Sequence, residues 1–234
     1  MDQLDIAQRF GSLSTANVAD ACLRADVEVR CVAGIRPVTG GSRMAGRVLP
    51  ARHAGSVDIF LEAIEHASPG DVLVVDNGGR HDEACVGDLI VLEAQAAGLA
   101  GMVIWGLHRD TPDIVAIGLP LFSLGALPTG PQRLDQRSPD ALASASLGRW
   151  VVTADDLIFG DDDGVIAVPA DRAEQVMAIA GMIRTTEQGQ ASRIAAGASL
   201  RAQLRFDDYL RRREMNPGLS FRDHLRTVGG AIEE

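Results

Sequence analysis

Two short stretches carry residue types that can do chemistry at a useful spacing, Gly87-Asp88-Leu89-Ile90 and Gly106-Leu107-His108-Arg109-Asp110. Gly87-Asp88 stands where a helix is expected to open after the apolar run Val72 to Val75. A helix opening presents unpaired N–H groups and a partial positive charge, so the amides of Leu89 and Ile90 can hold a carboxylate or an oxyanion. Arg109 and Asp110 follow the apolar run Met102 to Trp105, and ligands collect beyond strand C-termini in open α/β sheets. Arg109 offers a planar fork of donors for a carboxylate or enolate oxygen. Asp110 is a hard oxygen ligand suited to Mg²⁺ or Mn²⁺. Asp88 is a second carboxylate, able to orient water or move a proton. The same residues also fit plainer roles. An Arg-Asp pair at a strand end is commonly a surface ion pair or a turn, and a Gly-Asp before a helix is commonly an N-cap.

The elements that must position these groups follow from periodicity. Val57, Phe60, Leu61 and Ile64 recur at helical spacing, and Ser68-Pro69-Gly70-Asp71 stops that helix. Val72 to Val75 and Met102 to Trp105 are wholly apolar, as expected of strands buried on both faces. Asp88 to Ala97 and Thr111 to Ile117 read as helices, and Leu119 to Leu124 as a strand. The run strand, helix, strand, helix, strand predicts a parallel layered α/β unit. After Pro139, short strands at Arg149–Thr153, Leu157–Phe159 and Val165–Val168 are divided by Asp-rich turns, which predicts antiparallel structure.

At the ends, Leu4 to Arg24 reads as helical with Ser14 or Thr15 as a cap, and a long helix runs from Pro169 to about Ala196. A helix over Leu200 to Arg213 is followed by a turn at Asn216-Pro217-Gly218. Ser220 then opens a last helix, with Asp223 completing a capping-box pattern. This predicts one domain over residues 1–197 and an Arg-rich helical extension over 198–234, placed at a subunit interface.

The 234 residues carry 46% hydrophobic and 23% charged residues and a formal charge of -10. The acidity argues against nucleic acid or an anionic membrane as the main partner. Cys22, Cys31 and Cys85 form no disulfide framework and fit a reducing compartment. The start, Met1-Asp2-Gln3-Leu4-Asp5, lacks the pattern of a secretory signal, and no run of 18 uncharged apolar residues spans a bilayer. A cytoplasmic protein is expected.

Several blocks in order resemble a known family. Gly87 followed twenty-two residues later by Arg109-Asp110 (109 − 87 = 22) is similar to the Gly, long spacer, Arg-Asp pattern of the divalent-metal-dependent aldolases that cleave 4-hydroxy-4-methyl-2-oxoglutarate and related pyruvate-releasing acids. That family shares its fold with the ribonuclease regulator A proteins. Ser14-Thr15-Ala16 through Asp20-Ala21, Ile35-Arg36-Pro37 with Met44-Ala45-Gly46, Gly118-Leu119-Pro120 and Asp161 to Pro169 resemble its other blocks. The resemblance covers roughly residues 10 to 197, and Phe221 to Glu233 is similar to the tail of longer members.

The resemblance implies a β/β/α sandwich assembled as a homotrimer or homohexamer, with the active site at a subunit interface. It further implies that Asp110 coordinates Mg²⁺ or Mn²⁺ largely through water and that Arg109 stabilises the enolate oxygen of a small oxo-acid. The turn Gly87 to Ile90 would hold the pyruvate carboxylate, Asp88 would assist proton transfer, and Glu187 would reach the metal from a neighbouring subunit. Oxaloacetate decarboxylation, which forms the same enolate, is an implied companion activity. The chain departs from the pattern at Val86 and Trp105, expected to reshape the pocket wall. It departs also at His108, which is either an added acid/base or substrate contact or a solvated neighbour. Two other functions stay open, a lyase or hydrolase on a different acid using His108, and a non-catalytic regulator that docks on a ribonuclease. His53, His66, His81 and His224 do not cluster and read as surface or helix-end polarity. Asp161 to Asp163 reads as a strand turn, and Asn77-Gly78-Gly79 lacks the spacing of a dinucleotide fingerprint.

Overall fold

Secondary structure in the computed structural model is described for residues 3–228, and side-chain burial from residue 5 onward. The predicted first helix is two, α1 (Gln3–Phe10) and α2 (Thr15–Arg24), divided at Gly11 to Ser14. Ser14 explains the break. Its hydroxyl accepts the Asn17 N–H at 3.1 Å, and the Asn17 amide oxygen accepts the Ser14 N–H at 3.2 Å, so the capping box starts a new helix.

Then come β1 (Arg30–Cys31), β2 (Arg36–Pro37), β3 (Met44–Arg52), α3 (Asp58–Glu65), β4 (Val72–Asp76), β5 (Ala84–Val86) and α4 (Asp88–Ala96). Next are β6 (Gly101–Trp105), β7 (Leu107–His108), α5 (Thr111–Ile117) and β8 (Leu121–Ser123). The later half holds β9 (Ala145–Leu147), β10 (Trp150–Val152), β11 (Asp156–Asp161), β12 (Gly164–Pro169) and α6 (Ala173–Ala195). The chain continues with α7 (Leu200–Gln203), α8 (Phe206–Met215) and α9 (Phe221–Val228).

Eight strands form one mixed sheet in the order β1-β12-β11-β3-β4-β6-β8-β2. The predicted parallel unit is β4-β6-β8, to which β3 adds a fourth parallel strand, and the predicted antiparallel part includes β11 and β12, which join it through β3. Burial on both faces gives β4 its uninterrupted apolar sequence. Leu73 and Val75 pack under α3 and α4 with Phe60 and Val91, while Val72 and Val74 face Phe122, Leu147 and Val165. Strand β3 alternates in the same way: Ala45 and Ala51 join the helix-covered side, Met44 and Val48 the other. The sheet therefore curls around an inner core closed by the β9–β10 hairpin, and all its large helices lie outside. This layered β/β/α arrangement is the expected one. Gly46 permits a close approach within it, because a Cβ there would lie 2.1 Å from the Gly70 carbonyl oxygen.

The C-terminal helices depart in detail. The helix predicted over Leu200 to Arg213 is interrupted at Arg205, which adopts a left-handed conformation (φ 50°) between α7 and α8. Tyr209, Phe221 and His224 form a small aromatic cluster, with Tyr209 and Phe221 ring centroids 4.9 Å apart. His224, expected at the surface, is buried there and donates from Nε2 to the Leu204 carbonyl at 2.8 Å. The Ser220 hydroxyl accepts the Asp223 N–H, as its spacing predicts. Residues Gly229 to Glu233, which belong to the resemblance, lie outside the described residues. Among the described residues, no helix is long and apolar enough to cross a membrane.

Candidate active site

Strands β5 and β7 bring the two chemical stretches together. They pair in parallel, and the Arg109 N–H bonds the Val86 carbonyl at 2.9 Å. Gly87 is therefore held beside Arg109 and Asp110, and it caps α4 in an extended conformation (φ -125°) that any residue tolerates. Its lack of a side chain matters for space. A Cβ at Gly87 would lie 2.5 Å from Asp110 Oδ2 and 3.3 Å from Arg109 Nε. The carboxylate and the guanidinium thus rest directly on the opening turn of α4, where the N–H groups of Asp88, Leu89 and Ile90 lack helical partners.

Asp110 sits in the left-handed region (φ 61°) as the capping residue of α5, yet its side chain makes no capping hydrogen bond. Its carboxylate faces Arg109 instead, Nε to Oδ2 at 3.4 Å, and both side chains are partly exposed. The plainer roles are thus also real: Gly87 caps a helix and Arg109-Asp110 is an ion pair. Neither uses up the donors of Arg109 or the oxygens of Asp110. Asp88, half-buried, lines the same cavity of about 380 Å³ with Arg109, Leu89 and Ile90. Cys85 also lines it, but burial pushes its thiol far above the ordinary range and keeps it a neutral filler. Leu61 (47% exposed), Leu89 (73%) and Leu92 (45%) leave an apolar rim on α3 and α4.

Other expected residues lie elsewhere. His108 is buried (4% exposed), with Nδ1 2.8 Å from the Ser123 hydroxyl and Nε2 3.0 Å from the Thr111 hydroxyl. Burial lowers its pKa, and both ring nitrogens are engaged. It is not a solvated neighbour; it ties β7 to β8 and α5. Glu187 lies on α6, where it accepts from the Asn17 amide at 2.8 Å and raises the pKa of Asp20, a shift led by burial. Within one chain it does not join Asp110. Val86 is buried in the β5–β7 pairing, and Trp105 lines a different, larger cavity of about 590 Å³. His53, expected at the surface, is buried in the wall of that second cavity with Asn77, Arg80 and Arg133. These four are scattered over eighty residues, and only Asn77-Gly78-Gly79 gave a local signal. Asp161 accepts from Thr15 and from the Asp163 N–H, confirming a strand turn.

Among the described residues, no group of three or more His, Cys, Asp or Glu side chains gathers as a ready metal cage. A single exposed carboxylate beside open helix-terminal amides fits a hard cation held mostly by water and substrate.

Known proteins resemble this chain in sequence and in fold. A Halalkalibacterium halodurans protein provisionally named 4-hydroxy-4-methyl-2-oxoglutarate aldolase is 28% identical over 176 residues, 75% of this chain and 81% of that one. The solved structure of an uncharacterised Pseudomonas syringae pv. tomato protein superposes with a TM-score of 0.75 at 25% identity, over 84% of this chain and 95% of that one. Streptomyces coelicolor RraAS2, described as an unusual member of the RNase ES inhibitor RraA family, gives 0.69 at 23% identity over 81% and 98%. The RraA-like profile described as Aldolase/RraA matches residues 15–167, and with the fold and the Gly87, Arg109 and Asp110 cradle in place, the chain belongs to that family.

Proposed function

We propose that the protein is a lyase that cleaves a 4-hydroxy-2-oxo acid to pyruvate and a second carbonyl compound. The observation that carries this reading is the packing of the Arg109 and Asp110 side chains against the bare Cα of Gly87. That contact places a cation, a hard carboxylate and helix-terminal N–H groups around one small space. The Leu89 and Ile90 amides would bind the substrate's C1 carboxylate. Retro-aldol cleavage breaks C3–C4, removes a proton from the C4 hydroxyl and drives the electron pair onto the C2 oxygen. Arg109 is placed to stabilise that developing charge, and Asp88 to take the hydroxyl proton through water. A divalent cation on Asp110, Mg²⁺ or Mn²⁺, would supply Lewis-acid withdrawal at the same oxygen. Loss of CO₂ from oxaloacetate leaves the same charge on the same atom, so that activity should accompany the first.

The apolar rim formed by Leu61, Leu89 and Leu92 suits a covering subunit. A homotrimer or homohexamer would close the cavity, with Glu187 and the C-terminal helices contributed across the interface. The test is pyruvate release from oxaloacetate and from 4-hydroxy-4-methyl-2-oxoglutarate, with Mg²⁺, Mn²⁺ or EDTA, beside Asp110→Ala. Metal-dependent release that vanishes in the variant supports the reading. A folded protein that yields no pyruvate from either compound removes it and favours a docking role.

A further inference from the structure

The larger cavity lies beyond the C-terminal ends of three parallel strands, β3, β4 and β6. It is separate from the cavity lined by Gly87, Asp88 and Arg109, and the segment after β8 walls both: Pro131 lines the smaller and Arg133 the larger. Its wall is unusually polar for a space that the lyase reading does not use.

Three of its lining residues carry a buried polar atom that finds no hydrogen-bond partner among the described residues. They are His53 Nε2, Asn77 Nδ2 and Arg80 Nε. A single such atom costs about 1–3 kcal/mol when left unpaired, and native structures rarely leave several in one place. The hydrogen-bond network fixes what each one offers. Arg133 can only donate, and its NH2 lies 3.0 Å from Asn77 Oδ1. That oxygen is therefore an acceptor, and the His53 Nδ1 at 2.9 Å must carry the proton. Burial lowers the pKa of the ring, which favours its neutral form. Its Nε2 is thus a bare lone pair, an acceptor in search of a donor. Asn77 Nδ2 is a donor in search of an acceptor, whereas Arg80 Nε faces Glu83 Oε1 at 3.6 Å, an ion pair too long for a hydrogen bond. Phe60 stacks on the imidazole at 5.3 Å and holds the ring in place.

The charges point the same way. Arg52, Arg80 and Arg133 line the cavity with one carboxylate, Asp76, which accepts from the N–H groups of Gly78 and Ser146 and faces Arg52 Nε at 3.6 Å. Buried Glu83 stands behind, on Arg133 and Arg80. The remaining acids on the three arginines, Asp82, Asp135 and Asp140, are more than half exposed. Exposed pairs of that kind contribute little and exchange readily for a ligand.

A ligand that satisfies both kinds of atom needs a carboxylate for the arginines and the Asn77 amide, and a hydroxyl to donate to His53. We propose that this cavity is a second binding site, selective for small hydroxycarboxylates. The proposal does not rest on the lyase reading.

The test is calorimetric titration of the full chain with L-tartrate, with succinate, which has the same carboxylates and no hydroxyl, and with threitol, which has hydroxyls and no carboxylate. Tartrate is expected to bind about tenfold or more tighter than either, since each analogue leaves buried polar atoms unpaired. His53→Phe, which keeps the stack on Phe60, should abolish the preference over succinate, and Arg80→Leu should weaken tartrate about tenfold. Arg109→Ala should leave tartrate binding unchanged. A measurement on the unsubstituted protein needs no variant to fold: the ¹⁵N resonance of His53 Nε2 should shift on adding tartrate. Equal affinity for tartrate and succinate, a static resonance, or loss of binding in Arg109→Ala would each overturn the proposal.

Discussion

Gly87→Ala is the sharpest test of the cradle. The backbone at Gly87 is extended (φ -125°), so alanine fits it without strain. The added methyl, however, would stand 2.5 Å from Asp110 Oδ2, whereas ordinary contact begins near 3.4 Å. The carboxylate must retreat by about 0.9 Å (3.4 − 2.5), and Arg109 Nε, at 3.3 Å, must give slightly. Both are ends of partly exposed side chains, so the fold should lose no more than about 1 kcal/mol, part of it from the poorer cap. Catalysis tolerates misplacement far less. A shift on the order of 1 Å in a positioned group costs about 10²-fold, near 2.7 kcal/mol of barrier. The assay is pyruvate release from oxaloacetate at saturating Mg²⁺, coupled to NADH oxidation, with a thermal melt of the same preparation. A variant that melts within a few degrees of the parent and keeps kcat/KM within about threefold would refute the placement of chemistry at Gly87, Arg109 and Asp110.

Arg109→Lys should lower kcat/KM by roughly 10²-fold while Asp110 stays in place, because a point charge cannot reproduce the fork; rates near the parent value would put the charge-stabilising group elsewhere. His108→Phe should cost about 2 kcal/mol of stability by stripping the Ser123 and Thr111 hydroxyls of their partner. The turnover of that variant should stay within about threefold, whereas an acid/base role would show a loss of about 10² or more. Acidification supplies a further check. Burial lowers the pKa of His53 and His108 in the fold, so as pH falls through about 6.5 the unfolded rings take up protons first and stability is lost. The melting temperature should therefore drop between about pH 7 and pH 5.5 and level off below the folded values, and His108→Phe should reduce the drop; a rise on acidification would contradict it.

The parallel half was legible because Val72 to Val75 and Met102 to Ile104 are buried on both faces, which leaves an uninterrupted apolar run. The pairing of β5 with β7 was not, since two or three residues carry no period, although it is what joins Gly87 to Arg109. Arg109 and Asp110 stood out through their order with other blocks more than through local chemistry. His53 and Arg133 gave no sign, because they meet at the Asn77 side-chain oxygen only once folding has brought together residues eighty apart. His108 was misjudged for a related reason: polar types read as surface until Ser123 and Thr111 supply partners inside. The break at Arg205 was hidden because arginine is a good helix former and its left-handed turn is set by the packing of α7 on α8.

Strand β3 is the seam of the sheet, and its two edges close very different loops. Val48 meets Val72 after 24 residues (72 − 48), but Arg47 meets Leu157 only after 110 (157 − 47). The second closure costs about 1.3 kcal/mol more in chain entropy, so the order of assembly is biased. The parallel segment from β3 to β8, which contains Gly87 through Asp110, can collapse on near-neighbour contacts before β11 arrives. During synthesis the residues assigned to chemistry would then find one another while the far edge of the sheet is still unmade.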